Sequence, residues 1–450
     1  MIQTILITAP VSSRSGYGDH ARDLIESLIY QDDKYELFIN DVRWGDCPRN
    51  ALSENTELNN LIKERSFQFG GMNLKLNNKP NVYIDIRIPN EFEQLGDYNI
   101  GITAGIETNA VSPAFIEGCN KMDLVITTSN HSKFGFTNST YDKLEKGPDG
   151  QQRKIGELKA NSENIEILFE GVNTDIYKKV ENSDTDMNTM LNDIKEDFAF
   201  LFVGQWNKGS FGKDRKDIFR TIKVFYEAFA NKKEQPALIL KTNGASLSIL
   251  DKEECLKKID SVKKMFPSDW KLPKVYLLHG DLTKKEMNEL YNHPKVKCMV
   301  SFTHGEGFGR PLLEFSMVGK PIIASGWSGQ MDFLDHNLSV LIPGDMKQVP
   351  TSAVWEDIVI PESHWFHISE NHAYSSLIDV YKSYNTYLEK SEKMMVINRE
   401  KFNHNAMTNK LLEILERKIP KQVKVTLPKL KKKKQKIELP KLNNKIGATL

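Results

Sequence analysis

A chain of 450 residues, 39% of them hydrophobic, is long enough for two domains with large cores. No segment approaches the ~20 apolar residues of a membrane span, and the four cysteines are too widely spaced for a zinc site or a disulfide framework. The balance of 61 basic against 60 acidic residues hides an asymmetry: eleven lysines and one glutamate give residues 418–445 a charge of +10, leaving about −9 for the rest of a chain whose formal net charge is +1.

In chain order, 4–9 (TILITA) reads as a first strand. It runs into Pro10 and a polar loop with Gly16 and Gly18, then a helical pattern over 20–30. The opening stretch has neither a basic leader nor a long enough apolar core, so no secretory leader is expected. The expected location is cytoplasmic, with peripheral membrane association left open. Further strands are expected at 35–39, 82–86, 99–104 and 124–127, alternating with helices. Segment 164–168 leads into Glu170-Gly-Val-Asn-Thr-Asp-Ile-Tyr177, and the Asp- and Asn-rich stretch after it marks a crossover.

A second alternating series begins at 198–203 (FAFLFV) and continues through 237–241, 274–278, 295–302 and 321–324. Helices follow at 373–388, 391–402 and 405–418. The economical reading is α/β, two Rossmann-like doubly wound domains. The expected boundaries are 1–178 for the first domain, 179–196 for a polar linker, 197–365 for the second domain, 366–417 for C-terminal helices and 418–450 for a lysine-rich tail.

The strand at 295–302 leads into Thr303-His-Gly-Glu-Gly-Phe-Gly-Arg-Pro-Leu-Leu-Glu314, the most informative stretch of the chain. Pro311 suits the first turn of a helix and Gly319 a left-handed C-terminal cap. The loop therefore falls at the carboxyl end of a parallel strand, where open α/β sheets bind ligands. The amides of Gly307, Phe308 and Gly309 can face an anion at a helix start, phosphate being the natural guest. Glu306 and Glu314 can line one pocket as acceptors for sugar or ribose hydroxyls. Two carboxylates also suit a glycosidase, in which one attacks and the other donates a proton. The phosphate-type loop and nearby basic residues speak against hydrolysis.

The string HGEGFGRPLLEFSMVGKPIIAS closely resembles the signature of retaining glycosyltransferases of the GT-B fold, and of glycosyltransferase family 4 in particular. It carries the two glutamates with seven residues between them. The resemblance implies that Glu306 and the amides of Gly307, Phe308 and Gly309 hold the donor sugar and its phosphate, and that Glu314 takes the nucleotide ribose. It also implies C-terminal helices returning to the first domain, a nucleotide-diphosphate sugar as co-substrate, and neither a further cofactor nor an essential metal. The anomeric configuration of the transferred hexosyl or related group would be retained.

Other stretches resemble the family as well. Phe202-Val-Gly-Gln-Trp206 followed by Lys213-Asp-Arg-Lys-Asp217 is similar to its strand, glycine loop and basic pair. This implies a donor contact at Gly204 and catalytic cations at Lys216 and Arg215 against the leaving diphosphate, whose growing charge fixed cations stabilise in the transition state. Gln205 stands where the family commonly has Arg. Gly16 resembles the first-domain glycine loop near the donor phosphates, with Arg14 as an additional cation. Glu107 is the candidate acceptor contact. His279-Gly280-Asp281 would lie near the nucleotide base, and His304 could donate to sugar or phosphate or be satisfied by backbone. Asp184-Thr-Asp186 imitates a metal motif of another transferase fold from within the polar linker.

Polysaccharide, lipid-linked sugar, protein and other biomolecules stay open as acceptors. Two further classes stay open: a non-catalytic binder of anionic polymer, in which Lys429 to Lys436 contact nucleic acid or an anionic membrane, and a sugar-nucleotide epimerase on the same fold.

Overall fold

The computed structural model describes residues 2–70, 74–148, 151–180, 186–206, 211–244 and 246–421. Asp184 and the stretch Lys429 to Lys436 lie outside the described residues.

The first half is built on six parallel strands in the spatial order Tyr35–Asp41, Gln3–Ala9, Val82–Ile86, Tyr98–Thr103, Leu124–Thr127, Ile165–Ile167. Ile5, Ile7, Ile84, Ile100, Ile102 and Ile126 are all fully buried, the β-branched filling of a sheet covered on both faces. The second half repeats the architecture with strands Val275–Leu278, Ala237–Lys241, Ala199–Val203, Val296–Ser301, Ile322–Ser325 and Val340–Ile342, again all parallel. In chain order within that half this is 3-2-1-4-5-6, the dinucleotide-fold order. Its topological switch point falls between Ala199–Val203 and Val296–Ser301, two adjacent strands whose following loops open a crevice.

Two crossings join the halves, and they run side by side. The Val172 amide donates to the Phe402 carbonyl (3.0 Å), and the His404 amide donates back to the Val172 carbonyl (2.9 Å). Helix His404–Lys418 then returns to the first half, as the sequence implied. Its Met407, Leu411, Ile414 and Leu415 are buried in the same cluster as Leu24 and Leu28, and Thr408 meets Ser27 at 2.7 Å. At roughly 1.5–3 kcal/mol for each fully buried aliphatic side chain, this face alone accounts for firm docking.

Three features differ from the sequence expectation. The helix expected over 373–388 breaks at Ser383 into Glu370–Lys382 and Tyr384–Lys401. The break lets Tyr381 and Tyr384 both present ring edges to Phe198, with centroids 5.0 and 5.5 Å away. Within the stretch read as a polar linker, helix Asp186–Leu191 carries Met187 and Leu191 into the second half's core beside Ile194. An antiparallel hairpin, Thr140–Lys146 with Gln152–Lys159, projects largely exposed from the first half and has no counterpart in the sequence reading. No helix among the described residues is long and apolar enough to cross a membrane.

Candidate functional site

The loop after Val296–Ser301 is forced against the first half by its glycines. A Cβ at Gly307 would lie 2.0 Å from the Ala104 carbonyl oxygen, and one at Gly305 2.0 Å from that of Glu107. The Gly307 carbonyl accepts from the Ser129 hydroxyl (2.6 Å), at the turn after strand Leu124–Thr127. The two halves therefore touch backbone to backbone here. Gly309, at φ +97°, adopts the left-handed conformation that turns the chain into helix Arg310–Ser316. The amides of Gly307, Phe308 and Gly309 find no acceptor among the described residues. The Phe308 ring packs inward on Phe333, so only its backbone is offered to a ligand.

Glu306 is buried between two cations. Lys216 Nζ lies 2.5 Å from one carboxylate oxygen, and Arg215 Nη1 lies 3.3 Å from the other while also donating to the Gly305 carbonyl (3.1 Å). Burial pushes the Glu306 carboxyl up, but Lys216 and Arg215 outweigh it and hold the group ionised below its ordinary value. Burial in turn lowers Lys216, with Glu306 opposing. The basic pair reaches this point through a strained turn. Asp217, before helix Ile218–Phe229, is a buried non-glycine residue at φ +46°, a conformation that persists only where surroundings over-determine it. Here they do, since Asp217 takes Arg220 at 2.5 Å and its carbonyl accepts from the Thr221 hydroxyl.

Glu314 sits one turn inside the helix, where sequence placed it, but its main partner was not foreseen. Arg310 Nε donates to Glu314 (2.9 Å), and its Nη1 reaches Asp23 of the first half (2.6 Å) and Glu170 (3.7 Å). Lys284 adds a second cation at 3.4 Å from Asp23. Burial, opposed by Arg310, leaves Glu314 above its ordinary value. Burial and then Arg310 set Asp23, with the cations prevailing, so that its carboxyl lies well below the usual range. Sequence offered Arg310 only as a helix opener and Glu170 only as part of a structural segment. The distant partners, Asp23 above all, carried no signal.

Glu170 gives this network a pH signature. Burial first, with Asp23 and Glu314 adding to it against the pull of Arg310, pushes its carboxyl from 4.5 up to about 8. A carboxyl raised in the folded state stabilises fully below pH about 4.5 and loses that contribution as pH rises through about 8. Thermal melts from pH 5 to 9 are expected to show declining stability, by an amount on the order of a few kcal/mol. Glu170→Gln is expected to flatten that slope. An unchanged slope in the variant would remove Glu170 as its source.

The remaining residues expected from sequence fall as follows. Gly204 borders the cleft, but its amide is taken by the Lys241 carbonyl (3.2 Å). Its missing side chain leaves room for the Lys216 stem, which a Cβ would meet at 3.4 Å. Gln205 also lines the cleft and donates to the Gly244 carbonyl (2.9 Å). Gly16 begins helix Gly16–Ile29 at the cleft wall, with no atom within 4 Å of where its Cβ would be; Gly18 is the sterically fixed one, 2.3 Å from the Ser13 carbonyl. Glu107 reaches Arg215 (3.4 Å), and Arg14 pairs with Asp281 (3.3 Å). His304 faces away from the cleft. It is fully buried, stacks on Trp365 and donates from Nδ1 to the Phe366 carbonyl (2.7 Å), the backbone-satisfied alternative of the two. His279 is bound to Asp251 at 2.8 Å.

These groups converge on a cleft of about 1430 Å³ between the carboxyl ends of the two sheets, lined by Gly16, Glu107, Gly204, Arg215, Lys216 and the loop Glu306 to Glu314, among others. No protein-family model matches the chain, and no curated protein matches it by sequence. Solved structures do. A glycosyltransferase from Rickettsia africae superposes with a TM-score of 0.60 at 13% identity, covering 94% of this chain and all of that one. Sucrose-phosphate synthase from Thermosynechococcus elongatus gives 0.58 at 12%, covering 92% and 98%. Anabaena HepE in complex with UDP and glucose gives 0.56 at 12%, covering 92% and 100%. At such identities the likeness shows the fold, which is the GT-B arrangement of two Rossmann-like domains facing a cleft.

Proposed function

We propose that this protein transfers a glycosyl group from a nucleoside-diphosphate sugar to an acceptor hydroxyl, with retention at the anomeric carbon. The observation that carries the reading is Glu306 clasped by Lys216 at 2.5 Å and Arg215 at 3.3 Å, at the switch-point crevice and beside three unpaired amides. A diphosphate has its ideal surroundings there, with backbone N–H groups on one side and two fixed cations on the other. Ligand phosphate oxygens compete for Lys216 and Arg215 and free Glu306 to accept hydroxyls of the donor sugar.

As the bond from the anomeric carbon to the phosphate oxygen lengthens, negative charge collects on that oxygen. Cations already in place stabilise this charge more in the transition state than in the ground state. The acceptor hydroxyl attacks from the face the phosphate is leaving, and its proton passes to the departing oxygen. Glu306, held below its ordinary pKa, is a poor proton donor, which disfavours the glycosidase alternative. Glu314 is proposed to take the ribose through Oε2, which among the described residues meets only the Tyr291 hydroxyl at 3.5 Å, while Oε1 stays with Arg310. Glu107, partly exposed beside Arg215, is proposed to face the acceptor.

The complexes of HepE with UDP and with UDP-glucose make these the first ligands to test. A nucleoside diphosphate or its sugar is expected to raise the melting temperature. At a concentration of 100 Kd the stabilisation is ~2.7 kcal/mol. The rise should persist in excess EDTA, because Lys216 and Arg215 supply the charge neutralisation. No rise with uridine, guanosine or adenosine diphosphates or their glucose conjugates would overturn the reading.

A further inference from the structure

The first-domain wall of the cleft contains a preassembled aromatic surface that the donor chemistry does not use. Trp44 lies on the loop after strand Tyr35–Asp41 and stacks on Tyr17, ring centroids 3.9 Å apart with 28° between planes. Tyr17 cannot swing away. Its hydroxyl accepts from the Ala104 amide (3.1 Å) and pairs with Thr103 (2.9 Å), and burial pushes its pKa upward. The Trp44 loop is pinned as well, by the Arg14 amide on the Pro48 carbonyl (2.8 Å), the Ala51 amide on Ser12 (3.1 Å) and the Arg49–Asp41 ion pair (2.6 Å). Trp44 is only partly buried, lines the cleft, and finds no partner for its indole N–H among the described residues.

This surface borders the reacting region. Ala104, which anchors Tyr17, is the residue whose carbonyl lies against Gly307, next to Glu306. The charges around the platform decide what can approach it. Asp19, Asp23, Glu54 and Glu107 line the same side. Arg22 is committed to Asp19 (2.7 Å) and to the carbonyls of Val11 and Ser13, and Arg14 lies 3.3 Å from Asp281. An anionic acceptor would meet the exposed Glu54, which has no cation partner among the described residues, and an acyl chain would strand these carboxylates without water. A pyranose ring fits, because its C–H face packs on an indole while its hydroxyls donate to carboxylates.

We infer that Trp44, backed by Tyr17, is the platform of an acceptor subsite for a neutral saccharide, which rests on the glycosyl-transfer reading above. The test is saturation-transfer NMR on the full chain with saturating UDP, using maltose, cellobiose and lactose as probes and glucose 6-phosphate as the anionic control. At least one neutral disaccharide is expected to receive saturation on its ring C–H protons, in preference to glucose 6-phosphate. Trp44→Ala is expected to weaken it by about ten-fold or more, while Trp44→Phe retains most of the affinity. The UDP-induced rise in melting temperature should be the same in both variants, which separates a lost subsite from a damaged fold. Absence of any disaccharide signal, preference for glucose 6-phosphate, or an unaltered signal in Trp44→Ala would each overturn the inference. Failure of UDP to shift the wild-type protein would instead sink the donor reading.

Discussion

Glu306→Gln is expected to lower glycosyl transfer by about 10²–10³-fold, the range seen when one preorganised polar contact to a transition state is removed. The amide keeps the shape of the side chain but takes the negative charge from between Lys216 and Arg215, which lie 2.5 and 3.3 Å from it. Buried Lys216 and half-buried Arg215 then face each other, and among the described residues the nearest remaining counter-charge is Glu107, 3.4 Å from Arg215. The ligand-free variant should therefore melt lower than the parent. A nucleoside diphosphate brings the missing negative charge, so UDP should raise the variant's melting temperature by more than it raises the parent's. Activity loss and enhanced ligand stabilisation together identify Glu306 as a group that touches the donor sugar. If turnover of UDP-glucose or another accepted donor stayed near normal, Glu306 would be only the internal partner of Lys216.

That pairing shows why part of the site was legible in the chain and part was not. Glu306, Gly307, Phe308, Gly309 and Glu314 lie within nine consecutive residues, with chemistry set by local turn geometry, so a linear motif could carry them. Lys216 and Arg215 were legible only through the resemblance of 202–217 to the family's strand, glycine loop and basic pair, and the structure places that strand beside the one that precedes Glu306. The sheets were legible for a similar reason, since parallel strands buried on both faces are written as short apolar runs such as FAFLFV. The hairpin Thr140–Lys146 with Gln152–Lys159 was not, because charged residues such as Asp142, Lys143, Arg153 and Lys154 stand exposed along it and leave no apolar alternation. Trp44 gave no signal either. Its role depends on Tyr17, which precedes it by a whole helix and strand.

The least legible element carries the second large effect, and Arg310 shows it best. Arg310→Met is expected to cost about 3–5 kcal/mol of stability, the penalty for breaking a buried ion pair from one side. Arg310 donates to Glu314 at 2.9 Å and forms an ion pair with Asp23 at 2.6 Å; Asp23 and Glu314 are buried, and the Arg310 side chain is 10% exposed. Removing it leaves Asp23, Glu314 and Glu170 clustered, with Lys284 at 3.4 Å from Asp23 as the remaining close cation on an Asp23 oxygen. Repulsion should then push the Asp23 and Glu314 carboxyls up, so the loss should be greater above neutral pH than below pH 5. Denaturant melts at both pH values measure this directly. The companion variant Asp23→Asn decides which side of the tie matters. Because it leaves Arg310 bonded to Glu314, it should cost less than Arg310→Met, and the double variant should cost less than the sum of the two single losses. Simple additivity would mean that Arg310 acts through Glu314 and not through Asp23. A double variant that costs less than the sum would mean that one guanidinium both orients the proposed ribose-binding carboxylate and ties the donor half to the acceptor half, so that the cleft is set at the width in which Glu306 meets the first domain.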